Sequence, residues 1–524
     1  MATHKEISPV GRSSFAISEI TPNFPTIVHA LIAAAEDLPN KKAFICEDKE
    51  ITFSQYSRAA AGMANRLSGL CDPPARAAIL MNNSIEMAIT LMGCYAAGIQ
   101  CAPLNPLLTD REITELLKDI DPSLLICSEP FTDRAQVLVT HSEQTEVVSV
   151  GPNSLDPWVW VDDQTCTFSP DLPSPSDRSV MFFTGGTTGL PKGAEHVHSA
   201  FIAFCRQTVM LWRFDYDTKA ILNVAPMFHI WGHHFSVLFP LFIRATMVLV
   251  PKYQPDFVIE QLDRHNVNYF AGGPAAIFLG LLGSEKMKNA DLSSLEYSIA
   301  GGSPCPEGLL TRWHEETGNE ILEGWGMSEG APINCNPTHG EKKWLSTGIT
   351  PPETEIDIVD LETGTKILPV GERGEIRVRG PQFTIGYRNR PDENKIAIRD
   401  GWLYTGDIGY FDDDGYMFLV DRKKELIIVG GYNVYPREVD EMLTNHPAVS
   451  EAATVGRPDD FHGEVVVAFV ALKDGEKITS DALIKWSEEG LVKYKVPQDI
   501  FFLEALPKKG PGKIDKLSLK QSLL

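Results

Sequence analysis

A chain of 524 residues is too long for one hydrophobic core, so two or more domains are expected. Hydrophobic residues make up 43% and charged residues 22%, an ordinary globular composition that excludes a collagen-like or broadly disordered chain. The formal charge of -23 argues against an extended surface for nucleic acid or anionic membrane, because neutralising phosphates takes clustered Lys and Arg.

From Ile27 to Glu36 the apolar spacing is helical, and ICEDKEITF follows as two short extended runs around a charged turn. A helix is expected to open with Ser54 as its N-cap. From Arg76 a strand, a helix opening near Ser84 and a strand from Gln100 to Leu104 set a rhythm. It recurs at residues 148–150, 179–183, 221–226, 245–251 and 297–302. Apolar strands alternating with helices predict parallel sheets covered on both faces, an α/β body. After about residue 345, TEIDIVD, GEIRVRG and GYMFLVDR alternate between Gly-containing turns, which predicts a smaller antiparallel or barrel-like subdomain. The strand-helix order beyond the charged DRKKE run predicts a small α+β domain. The expected division is 1–421 and 422–524, with a hinge near 421–424.

The nine cysteines contain no CxxC pair and fit reduced thiols better than a disulfide framework or zinc site. The first twenty residues lack the apolar core of a signal peptide and carry Glu6 and Glu19, which disfavours a transit peptide. The longest apolar run, 237–250, is interrupted by Pro240 and Arg244 and is too short to span a bilayer. A cytoplasmic protein without a transmembrane segment is therefore expected; the composition does not indicate its oligomeric state.

One stretch carries the chemistry. In Phe182-Phe183-Thr184-Gly185-Gly186-Thr187-Thr188-Gly189-Leu190-Pro191-Lys192-Gly193 an apolar strand runs into a turn rich in Gly and Thr. Glycines let successive N–H groups point at one spot, hydroxyls add donors and a lysine adds charge, which are the parts of a phosphate cradle. The GxxxxGK[ST] template fails, because Pro191 precedes Lys192 and Gly193 replaces the Ser or Thr that would reach magnesium.

The stretch resembles the phosphate-binding signature of the adenylate-forming superfamily: acyl-CoA synthetases, adenylation domains of peptide synthetases, and luciferases. Gly185 stands where the family usually has Ser, and the double glycine is most like fatty acyl-CoA synthetases. Further stretches follow in the family's order: Ala300-Gly301-Gly302-Ser303-Pro304, Gly324-Trp325-Gly326-Met327-Ser328-Glu329, Tyr404-Thr405-Gly406-Asp407, Asp421-Arg422-Lys423-Lys424 continuing to Gly430-Gly431-Tyr432, and Pro507-Lys508-Lys509-Gly510-Pro511-Gly512-Lys513. The resemblance covers nearly the whole chain.

The resemblance implies ATP, Mg2+ and CoA as co-reactants and a carboxylic acid as substrate. Thr184 to Lys192 would grip the β- and γ-phosphates, Glu329 would hold the metal, and Ser328 would meet the α-phosphate. Trp325, flanked by Gly326 and Met327, would pack on adenine, with Gly301, Gly302 and Ser303 at its other face. Asp407 and Arg422 would bind ribose. Lys513 would bridge the carboxylate and α-phosphate, Lys424 would be the pivot of a mobile small domain, and Gly430 and Gly431 would line a channel for the CoA thiol arm. His229 matches the histidine at the carboxylate site. Phe228, Trp231, Gly302 and Ala331 would line the acyl pocket, whose uncharged character suits a fatty or aryl acid. His233 and His234 do not form a plausible metal pair, since adjacent helical residues diverge.

The leading expectation is a ligase joining a medium- or long-chain fatty acid to CoA. A CoA ligase for an aromatic or alicyclic acid, a stand-alone adenylation domain or luciferase-like enzyme, and a non-catalytic nucleotide-binding protein remain as alternatives.

Overall fold

The computed structural model describes residue 11 and residues 23–140, 142, 144–184, 191–212, 217, 219–459, 461–509 and 513–523. The chain gathers into two compact units, Gly11–Glu355 with Arg379–Trp402, and Ile356–Val378 with Leu403–Leu524.

The first unit is built on two sheets. A seven-stranded sheet runs in the order Gly386–Tyr387, Lys192–Val197, Arg178–Thr184, Ile99–Pro103, Ala75–Leu80, Leu124–Ser128, Glu146–Val150. Its far strands are parallel, whereas the first three pair antiparallel. An eight-stranded sheet runs Gly330–Cys335, Ile321–Met327, Tyr297–Ala300, Tyr269–Gly273, Ala220–Asn223, Thr246–Leu249, Lys42–Cys46, Lys49–Thr52. Its central strands are parallel and buried almost end to end, the mark of strands covered on both faces.

The covering helices explain several small residues. Helices Phe53–Ser68 and Ile85–Ala96 approach so closely that a Cβ on Gly93 would lie 2.5 Å from Met63 Cγ. The expected N-cap at Ser54 is displaced to Thr52, whose hydroxyl accepts from Gln55 N while the Gln55 side chain accepts from Thr52 N. That reciprocal box satisfies two end donors at once, which Ser54 cannot do from inside the first turn. Ser84 caps its helix as expected, accepting from Met87 N. One core packs Phe182, Phe201, Phe204, Phe235 and Phe239 with the first helices, and a second packs Phe270, Phe278 and Trp313.

In the second unit Glu355–Val359, Gly374–Arg379, Trp402–Phe411 and Met417–Arg422 form the expected antiparallel sheet. A further sheet runs Tyr432–Val434, Ile427–Val429, Gly463–Leu472, Val449–Asp459, with Asp499–Phe502 parallel to Gly463–Leu472. Helices Pro436–Thr444 and Ser480–Gly490 contribute to its core through Val439, Leu443 and Leu483. Helices and sheets mix in both units, an α/β architecture with an antiparallel sheet in the second. All nine cysteines carry free thiols. Among the described residues no helix is long and apolar enough to cross a membrane.

Trp313 is fully buried, edge-on to Phe278 at 5.0 Å. Trp313→Ala should lower stability by about 3–5 kcal/mol, whereas Trp344→Ala, at a 41% exposed position, should change it by under about 0.5 kcal/mol. Denaturant unfolding followed by circular dichroism measures both.

Candidate active site

The Gly- and Thr-rich stretch starts at the end of a strand. Strand Arg178–Thr184 turns back as Lys192–Val197, with Thr184 opposite Lys192, and the Thr184 hydroxyl accepts from Lys192 N at 3.4 Å. Gly185, Gly186, Thr187, Thr188 and Gly189 lie outside the described residues.

Glu329 and Ser328 occupy the two-residue tip of the hairpin formed by Ile321–Met327 and Gly330–Cys335, with Met327 opposite Gly330. Trp325, Gly326 and Met327 lie on the strand that leads into that tip. The tip is packed to its limit: a Cβ on Gly326 would lie 2.7 Å from Ala331 Cβ, and one on Gly330 would lie 2.3 Å from Phe383 Cδ1. Glu329 is only 6% exposed. Its Oε1 accepts from the Tyr387 hydroxyl at 2.5 Å, and its carbonyl accepts from Thr384 N at 2.6 Å. On the other side of Tyr387, Lys192 Nζ sits 5.2 Å from the ring centroid. Burial and the Glu329 charge hold the Tyr387 phenol far above its ordinary range, so it stays protonated and donates. A buried carboxylate near a lysine suits magnesium delivered on phosphate oxygens, a hard ion that takes one or two carboxylates rather than an all-protein cage. Among the described residues no group of three or more His, Cys, Asp or Glu could hold a metal unaided.

Gly301 and Gly302 follow strand Tyr297–Ala300, and Gly301 N donates to Gly273 O at 3.0 Å. A Cβ on Gly301 would lie 2.4 Å from Trp231 Cζ3, so that glycine is required by the indole beside it. Gly302 has φ +83, and a Cβ there would meet nothing within 4 Å. The Ser303 hydroxyl accepts from Ala275 N at 3.2 Å. Exposed His229 caps the short helix Ile230–His233, its Nδ1 accepting from Trp231 N at 3.3 Å. Trp231 stacks obliquely on Phe235, centroids 4.7 Å apart, and its buried Nε1 has no hydrogen-bond partner among the described residues. Phe228 and Ala331 are half-buried.

Behind these residues lies a group of histidines whose arrangement the sequence did not disclose. His196, His198, His233 and His234 are all buried. His196 Nε2 lies 2.8 Å from the Ser328 carbonyl, and a carbonyl only accepts, so Nε2 carries the proton and tethers the hairpin tip. His233 Nε2 lies 2.8 Å from the Tyr95 hydroxyl, and His234 stacks on Phe204 with centroids 3.9 Å apart. Burial pushes His196 and His198 down to about 4 and His233 to about 3, and holds His234 well below its ordinary value.

In the second unit Asp407 and Arg422 face each other across neighbouring strands, with Arg422 Nε 2.7 Å from Asp407 Oδ1. Lys424 lies in the single turn Lys423–Glu425, whose Lys423 pairs with buried Glu375 at 2.7 Å. Gly430 and Gly431, at φ +57 and +85, form the two-residue turn between Ile427–Val429 and Tyr432–Val434. A turn with positive φ at both central positions explains both glycines locally. Lys513 begins the short strand Lys513–Ile514, paired with Lys508–Lys509; residues 510–512 lie outside the described residues. The helix that follows is anchored by Lys516, 2.8 Å from Asp440. Tyr387, Thr384 and His196 went unnoticed in the sequence, because each meets the hairpin tip only through the fold.

The family model for AMP-binding enzymes matches residues 31–388, and that for the AMP-binding enzyme C-terminal domain matches 438–513. The long-chain-fatty-acid–CoA ligase of Bacillus subtilis (strain 168) is 34% identical, with 93% of each chain covered. A feruloyl-CoA synthase of Amycolatopsis sp is 33% identical over 89% of this chain and 92% of its own. The crystal structure of ATP-bound MatB from Rhodopseudomonas palustris superposes with a TM-score of 0.87 at 28% identity, covering 94% of this chain and 98% of that one.

The buried histidines give the fold an acid limit. Each stays neutral when folded but gains a proton in the unfolded chain below about pH 6.5, so stability is full above that value and is lost as pH falls toward about 4. Each contributes a slope of about 1.4 kcal/mol per pH unit. Urea unfolding at a series of pH values should show this loss, and His234→Phe should remove about one proton from the slope.

Proposed function

This chain belongs to the AMP-binding enzymes of the adenylate-forming superfamily, and from that premise we propose that it activates a medium- or long-chain fatty acid and transfers it to CoA. It is an AMP-forming acid–thiol ligase using ATP, Mg2+ and CoA. The observation that carries the fatty-acid reading is the match, along 93% of both chains, to a ligase for long-chain fatty acids.

In the first half-reaction a carboxylate oxygen attacks the α-phosphorus of ATP, the bond to the bridging oxygen breaks, and pyrophosphate leaves. In the second, the CoA thiol loses its proton and attacks the acyl carbon, and AMP leaves. Bound magnesium supplies charge neutralisation on the phosphate oxygens. Thr184 and Lys192, with Gly185 to Gly189 between them, hold the β- and γ-phosphates, and Glu329 ligates the metal. Ser328 contacts the α-phosphate. Trp325 covers adenine, with Gly326 and Met327 shaping the approach and Gly301, Gly302 and Ser303 on the far face. Asp407 and Arg422 take the ribose; their ion pair in the second unit supports a preset acceptor and donor. Lys513 bridges acid and α-phosphate, where positive charge is worth most as negative charge develops. A small domain, 422–524, pivots at Lys424 between the half-reactions, with Gly430 and Gly431 along the thiol arm. The acid's tail lies by Phe228, Trp231, Gly302 and Ala331, with His229 at the carboxylate end. The chain acts on small molecules in the cytoplasm.

An aromatic acid is the second reading. The partnerless Nε1 of Trp231 is a buried donor suited to an oxygen on an aryl ring, and the feruloyl-CoA synthase supports it.

Pyrophosphate release across short- to long-chain fatty acids, benzoate-type and amino acids tests the proposal. Long-chain acids should give the highest kcat/KM; preference for amino acids alone would exclude it. Lys513→Met should cut pyrophosphate release by about 100-fold or more while sparing thioester formation from supplied acyl-adenylate. Lys424→Pro should do the reverse, and equal loss in both half-reactions would count against either role.

A further inference from the structure

We infer that Tyr387 is a positioning residue of the adenylation step, setting the spacing between the Glu329 carboxylate and the Lys192 ammonium through the two chemical ends of one side chain. The inference rests on the functional reading above, in which those two charges face the metal and the phosphates. The hydroxyl donates to Glu329 Oε1 at 2.5 Å, and the ring lies 5.2 Å from Lys192 Nζ. An ammonium within about 6 Å of an aromatic face is attracted to it. A tyrosine thus offers what neither a phenylalanine nor a serine can: a donor for the acid and a face for the base.

The backbone holds Tyr387 more firmly than a surface strand of two residues would. On one edge Gly386 and Tyr387 pair with Glu195 and Ala194 of the strand that starts at Lys192. On the other edge the Asn394 side chain takes the place of a neighbouring strand: its Oδ1 accepts from Tyr387 N at 2.7 Å, and its Nδ2 donates to Tyr387 O at 2.8 Å. Gly386, at φ +137, lets Asn394 come that close; a Cβ there would lie 3.2 Å from Asn394 Oδ1. The residues just before it grip both partners. Thr384 N donates to Glu329 O, the Thr384 hydroxyl donates to Glu195 O at 2.6 Å, and Phe383 closes over Gly330. Segment 383–388 is therefore a bracket between the loop-bearing strands and the hairpin tip. Displacing the phenol takes a donor from the carboxylate and an aromatic face from the ammonium without removing either charge.

The test is calorimetric binding of ATP to the full chain, with magnesium and with a chelator, for wild type, Tyr387→Phe, Glu329→Gln and the double variant. Partners that orient a metal's ligands are worth about 10–100-fold in metal affinity. Tyr387→Phe should therefore weaken magnesium-ATP about tenfold, leave chelator-ATP unchanged, and add nothing in the Glu329→Gln background. Single-turnover pyrophosphate release should slow in step, while thioester formation from supplied acyl-adenylate stays at the wild-type rate. Asn394→Ser, which loosens the backbone and keeps the phenol, should give a smaller loss of the same pattern, and it carries the comparison if Tyr387→Phe does not fold. Unchanged magnesium-ATP affinity in Tyr387→Phe, or an equal loss with chelator or in the Glu329→Gln background, overturns the positioning role alone. A wild type that binds no magnesium-ATP overturns the functional reading and this role with it.

Discussion

A carboxylate at 6% exposure has lost nearly all its hydration, and it is stable only where fixed donors replace the water. Glu329 meets that requirement at the tip of a hairpin too tight to yield, with glycines at 326 and 330 that have no room for a Cβ. The Tyr387 hydroxyl supplies a donor, and with it comes a constraint on the rest of the unit. Tyr387 belongs to the seven-stranded sheet, whereas Glu329 sits at the tip of a hairpin of the eight-stranded one. One hydrogen bond therefore ties the seven-stranded sheet to the hairpin tip of the other. His196 adds a second tie from the same strand as Lys192 to the Ser328 carbonyl. Both ties fix backbone and charge in advance, the kind of arrangement that needs no reorganisation when charge develops nearby.

The histidine group makes the same point from inside the core. Neutral imidazoles fill space among Phe182, Phe201 and Phe204 and still offer a donor where a carbonyl needs one. In the folded chain His196 stays neutral until the pH falls toward about 4, so its tie to the hairpin tip holds across the neutral range and weakens only in acid.

The sequence discloses the rhythm of the fold because runs such as Leu124-Leu125-Ile126-Cys127 are apolar and buried residue after residue, as strands covered on both faces are. It discloses the hairpin's chemistry because Gly324 to Glu329 packs unusual residue types into one short run. Contacts made across the fold leave no such mark. Tyr387 stands 58 residues from Glu329, and nothing local distinguishes Gly386-Tyr387 from any short strand. The N-cap shows the limit of local reading too: Ser54 is a good capping type, but the Thr52 to Gln55 pair satisfies two donors at once and wins. Gly430 and Gly431 teach caution in the other direction, since a tight hairpin turn alone accounts for them.

In an AMP-forming acid–thiol ligase a carboxylate oxygen of the substrate attacks the α-phosphorus, and the bond between the α- and β-phosphates breaks. Turnover of a fatty acid labelled with heavy oxygen in both carboxyl positions tests it most directly. Mass spectrometry should find one heavy oxygen in the AMP and none in the pyrophosphate. Label in inorganic phosphate, with ADP as the nucleotide product, would contradict it.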